Sequence, residues 1–583
     1  MKKHKIIIYA ILALGLSACN DSYLERYPLS ELAPENYFLT AAELENYTNA
    51  FYAELPDALA IHYNTPNQAD DEARSTIASE IQGTRTTPSS GGGWAWEELR
   101  QINFFLQNSH KCTDEAARLR YDGIARFFRA YFYFEKVVRF GDVPWYDTVL
   151  ELDDEGLTKA RDSRKFVFEK MLEDIDFAIA NAPQTKSGQR VTKWTALAFK
   201  SRMCLFEGTF RKYHGLGDWE PILQQAAAAS EELMNSGIYK IYTSDPTKAY
   251  QELFIAEDAI LDEIILSRQY DASVPLVHSA NFYILSASYG RPGMQKSLVD
   301  SYLMADGSRF TDKPNYQTMS FYEETQNRDP RLAQTIRTPG YKRIGQSTTS
   351  VPDFATSVTG YQFIKYVLAP SYDAGQSTND MPIFRYAETL LNYAEAKAEL
   401  GTINQADLDR SVNLLRRRVE MPDMNLLAAN ANPDVYLKTE YPNATAGAQQ
   451  GVILEIRRER RIELVKEGLR YRDLLRWKEG GRLAKPFYGM YFPGVGEYDL
   501  DNDSKIDLVI YEGTSPTRLQ GVQYQKLGEL VLENGTKGGR IINLPDIIKK
   551  WDENKDYYYP IPTQELQLNP QLKQNPHWED TGI

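Results

Sequence analysis

The sequence predicts a mostly α protein, a tetratricopeptide-like scaffold of helix pairs that carries a loop-rich irregular half with few short strands. Three observations point there. Apolar residues recur at helical spacing in successive pairs of segments, helix-start and helix-stop residues bracket those segments, and long intervening stretches hold clusters of Gly, Pro, Asn, Asp and Tyr without helical period. With 42% apolar and 25% charged residues in a chain of 583, disordered, collagen-like and disulfide-scaffold classes fall away. A net charge of -14 argues against a nucleic-acid binder, which needs a basic surface to displace counterions.

The elements follow in order. Thr40 and Glu43 have capping-box spacing, and Leu44, Tyr47, Phe51 and Leu55 continue as a first helix. A second helix is expected over 96–107. A third, over 113–140, carries Leu119, Phe127, Phe128, Tyr131, Phe134 and Val138 and is stopped by Gly141, with 163–181 as its partner. Segments 192–207 and 221–236 form another pair, with Pro221 in a first turn and Gly237 as a cap. Segment 382–400, stopped by Gly401, pairs with 407–419, and a long helix over 452–477 comes last. The stretches 57–93, 240–295, 305–380 and 480–583 do not read as helix and hold only strand-like runs such as Glu263 to Ser267. Loops longer than about 15 residues are usually functional or disordered. Their aromatic richness argues for order.

At the N-terminus, Lys2, Lys3 and Lys5 precede an apolar run over 6–14 that is too short to span a bilayer. Leu16, Ser17, Ala18 and Cys19 then take the form of a bacterial lipobox. Residues 1–18 read as a lipoprotein signal, 19–583 as a single body, and Cys19 as the lipidated residue that anchors it to a membrane. Cys112 and Cys204 sit in helical segments without framework spacing, so buried free thiols are expected in preference to a disulfide.

Catalytic motifs are scarce. The six histidines never fall at i, i+3 or i, i+4, which excludes the common helical zinc pair, and neither a nucleophile elbow nor a phosphate loop is present. A glycosidase needs only two carboxylates that can be far apart in sequence, so an enzyme is not thereby excluded. Asp499, Asp501, Asp503 and Asp507 occupy positions 1, 3, 5 and 9 of a calcium-loop template, but Ser504 replaces the turn Gly and Ile510 the final Glu. A solvated acidic turn is favoured over calcium. Glu455 with Arg458, Arg460 with Glu463, and Glu463 with Lys466 fall at i, i+3 and read as a structural ion lattice.

Sugars present apolar C–H faces and polar rims, which suit aromatic platforms flanked by carboxylate and Arg groups. The first candidate is the loop where Asp70, Asp71, Arg74 and Arg85 precede "SSGGGWAWEE". Trp94 and Trp96 are two apart at a helix start and point different ways, so one is expected to anchor the helix and the other to be free. The second is "NFYILSASYGRPG", with Tyr283 and Tyr289. For any single ring, a place in the core is the competing expectation.

Six strings occur in a fixed order: "ARFFRAYFYFEKVVRFGDVPWYD", "VTKWTALAFKSRMCLFEGTF", "RDPRL", "IFRYAETLLNYAEAKAELG", "IRRERRIELVKEGLRYRDLLRW" and "YYYPIPTQELQLNPQLKQNPHW". Together with the lipobox they closely resemble the SusD/RagB family of nutrient-binding outer-membrane lipoproteins from Bacteroidetes. The resemblance implies a surface lipoprotein, half tetratricopeptide-like and half irregular. Such a protein captures a glycan, or sometimes a peptide, and covers a SusC-like TonB-dependent barrel that imports it. It also implies that ligand contacts come largely from the N-terminal region holding the Trp segment. A helical carbohydrate-active enzyme and a peptide-binding tetratricopeptide adaptor are the alternatives.

Overall fold

The computed structural model describes residues 37–578 apart from residue 152, so Cys19 and the signal lie outside the described residues. Helix α1 (Ala41–Thr48) starts on the expected capping box. The Glu43 amide donates to the Thr40 hydroxyl at 3.3 Å, the Thr40 amide donates to the Glu43 carboxylate at 3.0 Å, and the helix tightens into a 3₁₀ turn over Asn49–Glu54. Helices α2 (Glu97–Asn108), α3 (Glu115–Phe140), α4 (Arg164–Asn181), α5 (Lys193–His214) and α6 (Glu220–Asn235) follow, with α3 packed on α4 and α5 on α6. The first pair is pinned by Arg129, which donates to both oxygens of Asp174 at 2.6 and 2.7 Å. Helix α5 runs seven residues past the expected end at 207, because Phe210 keeps its apolar face in the core until Gly215 caps it in a left-handed turn.

Downstream come a short helix over Ala249–Ile255, inside a stretch expected not to be helical, and then α7 (Lys296–Ser301) and α8 (Tyr386–Glu399), of which α8 packs against α5 and α6. Three expected boundaries are corrected here. Segment 382–400 is a strand followed by α8, because residues 381–385, all buried, pair with the run at 264–268 instead of winding. Segment 407–419 is broken at Arg410 and Ser411, giving a short turn of helix and then α9 (Val412–Arg418). After α10 (Val435–Glu440), the long helix expected over 452–477 is two, α11 (Gln450–Glu463) and α12 (Arg470–Arg476), because Lys466 and Gly468 both take positive φ between them.

The strands are short: β1 (Glu72–Ala73), β2 (Ile264–Arg268), β3 (Gly293–Met294), β4 (Met381–Arg385), β5 (Phe487–Phe492), β6 (Gly496–Tyr498), β7 (Leu508–Tyr511), β8 (Gln523–Lys526) and β9 (Gly539–Asn543). Strand β1 pairs antiparallel with β3, β2 with β4, β5 with β9 and β6 with β7, whereas β7 and β8 run parallel. In the first pair Glu72 faces Met294, which brings the N-terminal loop against residues 289–294.

Buried apolar side chains form one large cluster among the helices, including Phe127, Phe199 and Leu390, and a second among the loops and strands, including Tyr250, Met294, Phe363 and Ile510. Helix α11 serves both, with Ile456 in the first and Ile462 in the second. Its Glu463 meets Arg418 at 2.5 Å, Arg385 at 2.8 Å and Arg331 at 3.0 Å, all fully buried, and Arg385 also reaches Glu263 and Glu467. Of the expected i, i+3 pairs, Glu455 with Arg458 forms at 3.1 Å, whereas Arg460 turns to Asp473 and Lys466 to Glu72. The lattice therefore ties distant elements together, and removing one partner would leave a buried charge uncompensated. Cys112 and Cys204 are buried free thiols.

Candidate functional site

The Gly-rich loop at 91–93 is held by α3. Arg139 donates to the Gly92 carbonyl at 2.8 Å and Lys136 to the Gly93 carbonyl at 2.6 Å. These bonds bring Trp94 and Trp96 together at the helix start, their rings edge to face at 5.4 Å, where the sequence predicts rings pointing apart. Trp94 is 6% exposed and meets Phe140 edge to face at 4.8 Å. Trp96 is half-buried, with its ring 5.6 Å from Phe132 and 5.7 Å from Tyr146, and it lines a cleft of about 620 Å³ with Leu99, Leu150, Leu568 and Leu572.

The charged residues of the same stretch do not join the Trp pair. Asp70 is buried between Arg470 at 2.6 Å and Arg482 at 2.7 Å. Burial pushes its carboxyl up, but those arginines and Arg461 outweigh burial and hold it well below the usual carboxylate range. Asp71 pairs with Arg461 at 2.7 Å, and there burial and the charge of Asp70 win, raising its pKa. Asp70 also lines a second cleft, of about 500 Å³, with Lys296, Asp300, Tyr436 and Tyr488. Arg85 pairs with Asp556 at 2.8 Å and lies 4.5 Å over the Tyr559 ring, 5.4 Å from Trp578 and 5.9 Å from Trp551, an aromatic cage within the fold.

Tyr283 and Tyr289 do come together. Residues 280–285 form one helical turn and 287–289 another, ended by Gly290 with φ +82°, and this double turn folds Tyr289 back onto Tyr283 at 4.7 Å and 69°. Phe282, 37% exposed, meets Tyr289 at 5.3 Å, and Tyr63 meets it at 5.2 Å and 88°. Three rings thus surround one partly exposed Tyr at steep angles. Arg74, itself buried and paired with Glu72, lies 4.6 Å over the Tyr63 ring and donates to the Tyr289 carbonyl at 2.5 Å. The pKa of Tyr283 is raised by burial, which outweighs the lowering effect of a hydrogen bond with Ser279. Sequence reasoning missed Tyr63 and Phe282: Phe282 stands within the string singled out for Tyr283 and Tyr289 but was passed over, and Tyr63 joins them only through a tertiary contact.

The acidic turn brings Asp499, Asp501 and Asp507 together, each offering an oxygen within 4.8 Å of the others. Asp503 departs from the template by pairing with Lys505 at 2.6 Å. Asp499 accepts from the Asn502 and Ser504 amides at 2.6 and 2.7 Å, the bonds of an acidic turn. These three carboxylates are the ones placed to share a cation.

Comparison with known proteins sets this geometry beside relatives. The SusD family model matches residues 262–578, and a second, described as starch-binding associating with outer membrane, matches residues 38–200. SusD-like protein P2 of Formosa agariphila is 24% identical over 511 residues, which cover 83% of this chain and 93% of that one. A SusD-like carbohydrate-binding protein from Bacteroides fragilis superimposes with a TM-score of 0.69 at 23% identity, over 92% of this chain and 99% of its own. A further SusD-like structure from the same species gives 0.67 at 22% identity, over 95% and 100%. At these identities the solved structures share the fold.

Proposed function

The chain belongs to the SusD family, and from that premise we propose that it is a cell-surface binding protein that captures an oligosaccharide or polysaccharide for a SusC-like TonB-dependent barrel. The observation that carries this reading is the aromatic corner of Tyr63, Phe282, Tyr283 and Tyr289, which offers partly exposed rings next to the polar Arg74. Ring faces take the apolar side of a pyranose, and neighbouring polar groups take its hydroxyls. Trp96 with Tyr146 makes a second aromatic surface for a long chain. The carbohydrate-binding relative from Bacteroides fragilis and the outer-membrane description of the second family model support the same assignment.

Lipid on Cys19 would hold the body at the outer membrane; among the described residues no helix is long and apolar enough to cross one. Capture requires no bond to be made or broken, so the protein acts without catalysis. Glycan and peptide arrays, followed by calorimetric titration and a reducing-end assay on the bound glycan, test this. Glycan binding without release of new reducing ends is expected. Retention of peptides alone would make the protein an adaptor, and steady release of reducing ends would make it an enzyme. Mild detergent extraction from the native host should co-purify a TonB-dependent barrel.

A further inference from the structure

Behind the aromatic corner the chain turns at residues 290–293 and opens a recess of about 250 Å³, lined among others by Ser75, Arg291, Ser357, Glu529 and Asp546. The recess adjoins the corner through the backbone. Tyr289 and Arg291 are two residues apart, at most about 7 Å along an extended chain. On the facing strand edge, Arg74 donates to the Tyr289 carbonyl at 2.5 Å and the Ser75 amide to the Gly290 carbonyl at 2.7 Å.

Two features mark the recess as built for a polar occupant. Ser357 is fully buried, yet its hydroxyl has no hydrogen-bond partner among the described residues. Arg291 stands at φ +53°, a conformation that costs a side-chain-bearing residue, and it donates to the Phe354 carbonyl while its buried Nε–H is left unpartnered. Buried polar groups are normally satisfied, so an unpaired donor and an unpaired hydroxyl lining one recess invite a ligand with hydroxyls of its own. The Ser357 oxygen packs directly on Gly293 beside the Thr359 hydroxyl, since a Cβ on Gly293 would lie 2.5 Å from the one and closer still to the other.

We propose that this recess is a subsite for one neutral sugar unit of the same chain that lies on the aromatic corner, an inference that rests on the binding role argued above. Its size suits a single unit, since sites for larger ligands run from about 300 to 1,000 Å³. Its charge argues for neutrality. The single guanidinium of Arg291 is already influenced by Asp353, and the carboxylates of Glu529 and Asp546 line the same space, so a uronic acid would meet more repulsion than attraction.

The test is calorimetric titration of the wild type, Tyr289→Ala, Ser357→Ala and Arg291→Gln with neutral gluco-, xylo- and manno-oligosaccharides of increasing length and with oligogalacturonides. Ser357→Ala and Arg291→Gln should each weaken the best neutral ligand about three- to tenfold, the loss of one hydrogen bond, and oligogalacturonides should bind less well. Wild-type affinity in both recess variants while Tyr289→Ala loses binding would overturn the subsite and leave the corner standing. Tighter binding of oligogalacturonides would overturn neutrality. Unchanged affinity in Tyr289→Ala would overturn the corner as the binding surface and the subsite with it, and no binding to any member of the set would overturn the binding role itself. Ser357→Ala removes an atom without a partner and is expected to fold, so the test survives if Arg291→Gln does not.

Discussion

The guanidinium of Arg74 donates to the backbone carbonyl of Tyr289 at 2.5 Å, and the same Arg is paired with Glu72, whose other oxygen is 2.5 Å from Lys466. The exposed aromatic corner is therefore fastened, through three charged side chains, to the segment between α11 and α12.

Tyr283 contributes a ring, whereas its hydroxyl is dispensable. Tyr283→Ala should weaken glycan binding about thirtyfold, the usual loss of about 2 kcal/mol at an aromatic hot spot, and Tyr283→Phe should keep near wild-type affinity. Titration calorimetry beside thermal melts measures both, and equal losses in the two variants would shift the contact to the hydroxyl.

Trp94 and Trp96 should separate by stability. Emptying the buried Trp94 site costs about 3 to 5 kcal/mol of folding free energy, with Trp94 6% exposed. Trp96→Ala should cost less, since its ring is half-buried, and should reduce affinity for long glycans that reach its cleft. Denaturant melts of the two variants decide the first point and titration with polysaccharide the second.

Glu463 sets an acid limit. Burial pushes its carboxyl up, but Arg418, Arg385 and Arg331 outweigh burial and leave its folded pKa far below the unfolded value of about 4.3. A depressed carboxylate lends stability that is complete above about pH 4.3 and drains away as pH falls towards the folded pKa. Glu207, Glu388, Glu395 and Asp473 are lowered in the same sense by their arginines. Melting temperature should therefore fall steeply below about pH 4. Glu463→Gln should cost about 3 to 5 kcal/mol at pH 7 and show a shallower acid decline than the wild type.

Gly468, at φ +75°, has open space on the side where a Cβ would stand, with the nearest atoms of Thr65 at 3.9 Å from that point. Gly468→Ala is consequently penalised by backbone conformation alone, by about 1 to 2 kcal/mol. A denaturant midpoint close to wild type would show that the turn relaxes.

Cys19→Ala should leave a folded protein without lipid. Labelling of the native host with radioactive palmitate should mark the wild type and miss the variant, and continued labelling would remove the anchor from this thiol.

The helix pairs were legible because helical period and capping are local: Thr40 with Glu43, and Gly141 after Phe140, each declare a boundary within a few residues. The breaks were not, because distant partners decide them. Between α11 and α12 the chain leaves the helix where Glu467 meets Lys365 and Arg385, both at 2.6 Å, and nothing near Glu467 in sequence announces either. The meeting of the Trp94 and Trp96 rings at 5.4 Å was not legible, because both residues precede Glu97, the first helical residue, and helical geometry does not set their directions. Nor was it legible that Asp70, Asp71 and Arg85 lie in ion pairs, since acids and arginines serve a sugar rim and a buried lattice equally well. Tyr63 joins Tyr289 only through tertiary folding, across a separation that no periodicity spans.

The arginine and glutamate seam along α11 has a consequence for how the molecule tolerates change. Its charges can be neutralised only when the helical and irregular halves are both seated, so a chain with one half detached has no comfortable resting state and the two should melt together. Outlying turns such as 280–291 touch the seam only at its edge, through Arg74 and Glu72. They can accept new side chains, and so new ligands, while the joint that keeps the molecule whole stays as it is.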